Sequence, residues 1–195
     1  MHTILPNGGN TYLSKASITS NELLLKLSWY PDSNVQLKLI AFIVDEDMKV
    51  RHPSHFVSEH APQSNDLTLQ WLGKQGNMEV MRINIDTLLD DVNTEPAHKI
   101  IFATYLAPQE NNKLTFRKIQ KLTVSLHDAS LTHDITFSLQ EALNDPHYGF
   151  YDRNAMTVGE LYLHQGEIKF KAIADAFKDG LYSIVKMTHA LEIVL

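Results

Sequence analysis

At 195 residues, with 44% hydrophobic and 21% charged side chains, the chain has the size and composition of one folded domain spanning 1–195 and not of a disordered segment. A net charge of −6 with scattered Lys and Arg excludes the basic stripe that a nucleic-acid binder needs to displace phosphate counterions. The absence of cysteine excludes disulfides, thiolate metal sites and cysteine nucleophiles, and it suits a reducing compartment. The N-terminal stretch has no secretory pattern, and no apolar run reaches the roughly 18 to 20 residues of a membrane helix, so a cytoplasmic protein without a membrane span is expected.

In chain order, the residues NGG at 7–9 predict an early turn. ELLLKLSW at 22–29 is an apolar-rich segment stopped by the turn chemistry of YPDSN. VQLKLIAFIV at 35–44 starts with apolar/polar alternation and becomes wholly apolar, the pattern of a strand covered on both faces in its second half. DED at 45–47 followed by MKV reads as a hairpin corner with a strand resuming after it. Further short strands are predicted at LTLQWL (67–72), MEVMRINI (78–85), KIIFATYL (99–106), KLTVSLHD (121–128) and DITFSL (134–139). Helices are predicted only over 85–92 and within 176–191, the latter on Leu181, Ile184, Val185 and Thr188, while 141–155 reads as a long loop. GELYLHQGEIKFKAI at 159–173 is the clearest hairpin, with Gly166 at the turn. Many short strands with turn residues between them point to a sandwich or barrel of antiparallel sheets.

Candidate chemistry is sparse. No G-x-G-x-x-G, no phosphate-binding loop and no G-x-S-x-G elbow is present, so nucleotide binding and serine hydrolysis of those kinds are disfavoured. Ten histidines include His52, His55 and His60 beside Glu59, close enough in sequence to hold a transition metal. Their spacing matches no known ligand pattern and Pro53 interrupts them, which is equally the description of a solvated loop. His127 and His133, with Asp128 and Asp134, flank another turn. Asp45, Glu46 and Asp47 offer three carboxylates, but on extended chain neighbours alternate in direction, so only Asp45 and Asp47 can converge.

The order of these segments resembles the TerD family, small bacterial proteins of tellurite-resistance and stress-response operons. LPNGGNTYLSK at 5–15 is similar to the family's opening, and LLLKLSW at 23–29 to its Gly-Trp strand with Ser28 in place of Gly. AFIVDEDMKV (41–50), HFV (55–57), INIDTL (83–88) and KIIFATYL resemble successive family segments. AMTVGELYLHQGEIKFKAI at 155–173 is the strongest match, followed by DGL at 179–181. The resemblance implies a mainly β fold, a two-sheet β-sandwich with a few short α-helices, and a Ca²⁺ site built from clustered acids.

Carried over residue by residue, most of that acid set is missing. Its D-x-D positions fall on Gln36 and Lys38, its D-G-S segment on Asp66, Leu67 and Thr68, its His on Trp71, and its G-D-N on Gly73, Lys74 and Gln75. Glu79 is left from a following acidic cluster, so Asp66 and Glu79 are the remaining metal-ligand candidates. Ammonium groups at two positions oppose a divalent cation by Coulomb repulsion. The resemblance thus implies a non-catalytic stress-response protein of the tellurium-resistance type, a binding or scaffold module with no confident cofactor and weak or lost Ca²⁺ binding. Its expected partners are other proteins of the same system, with no nucleic acid. The alternatives are a working Ca²⁺ binder with relocated ligands and a histidine-based metal protein or enzyme.

Overall fold

The computed structural model describes residues 2–13, 21–31, 35–90, 99–107, 114–128, 134–139 and 152–190. Their strands, in chain order, are β1 (His2–Leu5), β2 (Asn10–Leu13), β3 (Glu22–Pro31), β4 (Leu37–Val44), β5 (Phe56–Val57), β6 (Leu69–Gln75) and β7 (Met78–Asn84). They continue with β8 (Lys99–Leu106), β9 (Ile119–Asp128), β10 (Asp134–Ser138), β11 (Ala155–His164) and β12 (Glu167–Phe177). Helix α1 (Ile85–Asp90) follows β7 and helix α2 (Leu181–Met187) follows β12. The first sheet runs β1-β10-β9-β3-β7-β6 and the second β2-β12-β11-β8-β4-β5. This is the expected two-sheet sandwich, not a closed barrel.

Alternation builds the interior. Leu23, Leu25, Leu27 and Trp29 on β3 point inward with Met81 and Ile83 on β7 and Leu122, Val124 and Leu126 on β9. Opposite them stand Leu37, Leu39, Ala41 and Ile43 on β4 with Ile100 and Phe102 on β8. The other face of β4, with Ile40, Phe42 and Val44, is buried as well, because α2 lays Ile184 and Val185 over it and over Ile101 and Ala103 of the neighbouring β8. That second cluster is why β4 reads as unbroken apolar sequence.

Two expectations need correction. The sheets are not wholly antiparallel: β1 pairs parallel with β10, because the turn at 6–9 carries the chain across the sandwich instead of folding it back on itself. MKV does not resume a strand; the partner of β4 on that side is the two-residue β5, farther along. The helix expected within 176–191 occupies Leu181–Met187, with Thr188 as its C-cap, and Phe177 before it belongs to β12. The loop expected at 141–155 lies mostly outside the described residues. No helix among the described residues is long and apolar enough to cross a membrane.

Candidate functional site

The β6–β7 edge of the first sheet approaches the β4–β5 edge of the second. Loop 58–68 closes this gap: Ser58 N–H donates to Ala61 C=O, Trp71 N–H to Pro62 C=O, and Gln63 bridges Gln70. Four polar side chains converge behind it. Lys38 comes from β4, registered beside Tyr105 on β8, and Glu79 from an inward position of β7. Glu59 comes from the loop and Trp71 from β6.

Their contacts are specific. Lys38 Nζ donates to Glu59 Oε2 at 2.5 Å, with both side chains largely buried. Glu79, 1% exposed, accepts at Oε2 from the Leu39 N–H at 2.7 Å and from Trp71 Nε1 at 3.2 Å. It therefore ties the first sheet to the backbone of β4 in the second. Glu79 Oε1 is buried and has no hydrogen-bond partner among the described residues. Burial pushes the Glu79 carboxyl above its ordinary range; the Leu39 and Trp71 hydrogen bonds and the Lys38 charge oppose this, and the Glu59 charge adds to it. Burial, then Glu59 and Glu79, also raises the Tyr105 phenol.

Of the two metal-ligand candidates, Glu79 lies in this cluster and Asp66 has other partners. Asp66 accepts from Ser64 Oγ at 2.5 Å, from Thr68 N–H at 3.0 Å and from Thr68 Oγ1 at 2.8 Å, bracing its own turn. Burial alone would raise its carboxyl, but those hydrogen bonds and the His55 charge outweigh it and hold it low. Gln36 is exposed and its backbone carbonyl accepts from Ala107. Lys74 lies 5.4 Å from the Trp29 ring, a cation–π contact.

The other candidates serve local structure. Asp45 is 4% exposed; its Oδ1 accepts from the Asp47 and Lys49 N–H groups, each at 2.9 Å, and its Oδ2 from Arg51 Nε. DED is thus a braced turn. His52 caps the short 3-10 turn Pro53–His55 through Ser54, and His60 is exposed beside Glu59. Asp134 is held between His2 Nδ1 at 2.9 Å and His127 Nδ1 at 3.2 Å, while His133 lies outside the described residues. Among the described residues no three His, Asp or Glu side chains are grouped as metal ligands.

Sequence reasoning missed Glu59 as the partner of Lys38 and the Trp71 indole as a donor to Glu79. Lys38 and Glu59 lie 21 positions apart, and no local pattern joins them. In Trp71, an amphipathic ring with one N–H that seeks a partner when buried, a signal was available.

The chain is thus a two-sheet β-sandwich with a charged cluster between facing edges of its two sheets. The TerD domain family model matches residues 1–187, and the chain belongs to that family. It is 28% identical to "Tellurium resistance protein TerD" of Serratia marcescens and 27% identical to the protein of that name from an Alcaligenes species. Each match covers 94% of this chain and 95% of the relative. Among solved structures, the unknown-function protein SAV2460 shares the fold at a TM-score of 0.60 and 18% identity, over 84% of this chain and 93% of that one.

Proposed function

We propose that this protein is a non-catalytic, tellurium-resistance-type stress protein of the cytoplasm, acting as a binding or scaffold module whose divalent-cation site has degenerated. One observation carries this reading. Lys38, at a position where the family resemblance places a carboxylate ligand, donates its ammonium to Glu59 and also attracts Glu79. A tethered monovalent cation thus stands among the acids that a divalent ion would need. Ca²⁺ takes about six to eight oxygens, whereas one carboxylate here is engaged by Lys38 and the other by Leu39 and Trp71. The donor set does not fit the ion. Other proteins of the same resistance system are the proposed partners.

The unpartnered Glu79 Oε1 favours the second reading, a Ca²⁺ site with relocated ligands. Calorimetric titration with CaCl₂ separates the two. No saturable binding below about 1 mM is expected, the weak end of protein Ca²⁺ sites; a micromolar site in the native protein overturns the proposal.

A further inference from the structure

A cavity of about 470 Å³ opens on the outer face of the second sheet, against the end of α2, within the size range of pockets for small organic ligands. Alternation sets its floor: Lys171, Ile173 and Asp175 stand on one side of β12, beside Glu160 and Thr157 of β11. Met48 from the turn after β4 and Met187 from α2 supply flexible apolar walls. It shares no residue with the Lys38–Glu79 cluster.

Charge is unevenly spread along this floor. At one end Glu160, 8% exposed, takes Lys99 Nζ at 3.1 Å and Lys171 Nζ at 3.7 Å. Two ammonium groups against one carboxylate leave one positive charge unbalanced. At the other end Asp175 is exposed, and no described residue forms an ion pair with it. Asp175 lies four positions beyond Lys171 along the strand, about 13 Å between their backbones. Ile173 lies between them, so the recess is positive, apolar and negative in turn.

The backbone is also irregular here. The register of β11 slips between Thr157 and Gly159 against both of its neighbours. Such bulges re-aim side chains and recur beside binding sites. Here the bulge places Thr157 Oγ1 within 3.4 Å of the Asp175 carbonyl, at the negative end of the cavity.

We propose that this cavity binds a small zwitterion with an apolar body, its ammonium against Asp175 and its carboxylate against Lys171, the chemistry of a short apolar peptide. Two or three extended residues span about 7 to 10 Å, short enough to lie in the recess between the two charged side chains. A dianion such as phosphate fits poorly, because Glu160 and Asp175 would both repel it. The inference goes beyond the cation-site proposal, and its test involves no metal.

The test titrates the ¹⁵N-labelled full chain with trileucine, N-acetyl-trileucine and trileucine amide, followed by amide chemical shifts. Trileucine is expected to shift resonances of β11, β12 and α2 and to bind below millimolar concentration. Either cap is expected to weaken binding about ten-fold, through loss of one charge-assisted contact. Asp175→Asn should abolish the preference for a free N-terminus and Lys171→Met the preference for a free C-terminus. Absence of shifts at about 10 mM trileucine, well above the expected dissociation constant, overturns the proposal. So does equal binding of the capped peptides to the native protein, or shifts confined to other strands.

Discussion

Glu79 is the residue on which the cluster turns, because it is an almost fully buried carboxylate with one oxygen satisfied and the other without a partner among the described residues. Its pKa is raised in the folded state above the ordinary value of 4.5. The folded protein therefore binds a proton more tightly than the unfolded chain does. The contribution of Glu79 to stability is fully present below pH 4.5 and is lost as pH rises through its folded pKa. Glu79→Gln keeps an oxygen that accepts from the Leu39 N–H and removes the charge. Urea midpoints measured across this window should fall with rising pH in the native protein and stay flatter in the variant; equal profiles would refute the assignment. Lys38 offers a second check at this scale. Lys38→Met leaves Glu59 and Glu79 facing each other without a cation, and a loss of about 2 kcal/mol is expected by urea unfolding, less than for a fully buried pair. The identity of Lys38 was readable in sequence. Its partner was not, since the Lys38–Glu59 pair exists only once the loop after β5 is folded back over β4.

At the scale of elements, the β11–β12 hairpin shows how local chemistry and tertiary packing divide the work. Its turn is Gln165–Gly166, both at positive φ (55° and 79°), with His164 paired to Glu167, the two-residue geometry that matches strand twist. Glycine at the second position identifies it from sequence alone. Gly159, in the same hairpin, has a different cause. A Cβ there would lie 2.6 Å from the Phe170 ring, inside any real contact distance. Gly159→Ala should cost about 1 to 3 kcal/mol by forcing that core ring aside, measured as a lowered urea midpoint with an unchanged slope. An unaltered midpoint would show that the ring moves freely. No sequence pattern distinguishes this glycine from one kept for a turn, because the constraint comes from the cross-strand neighbour.

For the whole molecule, the decisive feature is that one apolar core is shared by both sheets. Phe102, fully buried on β8, packs in it, and β8 is an interior strand of the second sheet. Phe102→Ala should therefore lower stability by about 3 to 5 kcal/mol. The loss should appear as a single cooperative transition; amide exchange should rise in both sheets together, and loss confined to the second sheet would show that the sheets unfold separately. The sheet order is also a whole-molecule property. β1 and β2 are separated by only four residues yet join opposite sheets, which a turn-based reading of NGG does not reveal.

Most of the longer strands, their inward faces, both helices and the terminal hairpin were legible in the amino-acid order, because alternation and turn chemistry act over a few residues; the short β1, β2 and β5 were not. The double burial of β4 was legible too, since a strand covered on both faces has no reason to keep polar positions. Three-dimensional packing alone decided that Asp66 braces its own turn while Glu79 crosses to β4, that Lys38 meets Glu59, and that Lys171 and Asp175 bound one recess. Those outcomes depend on which edges face each other and how loops close over them. Coulomb forces and hydrogen bonds act through space, and distance along the chain carries no record of them.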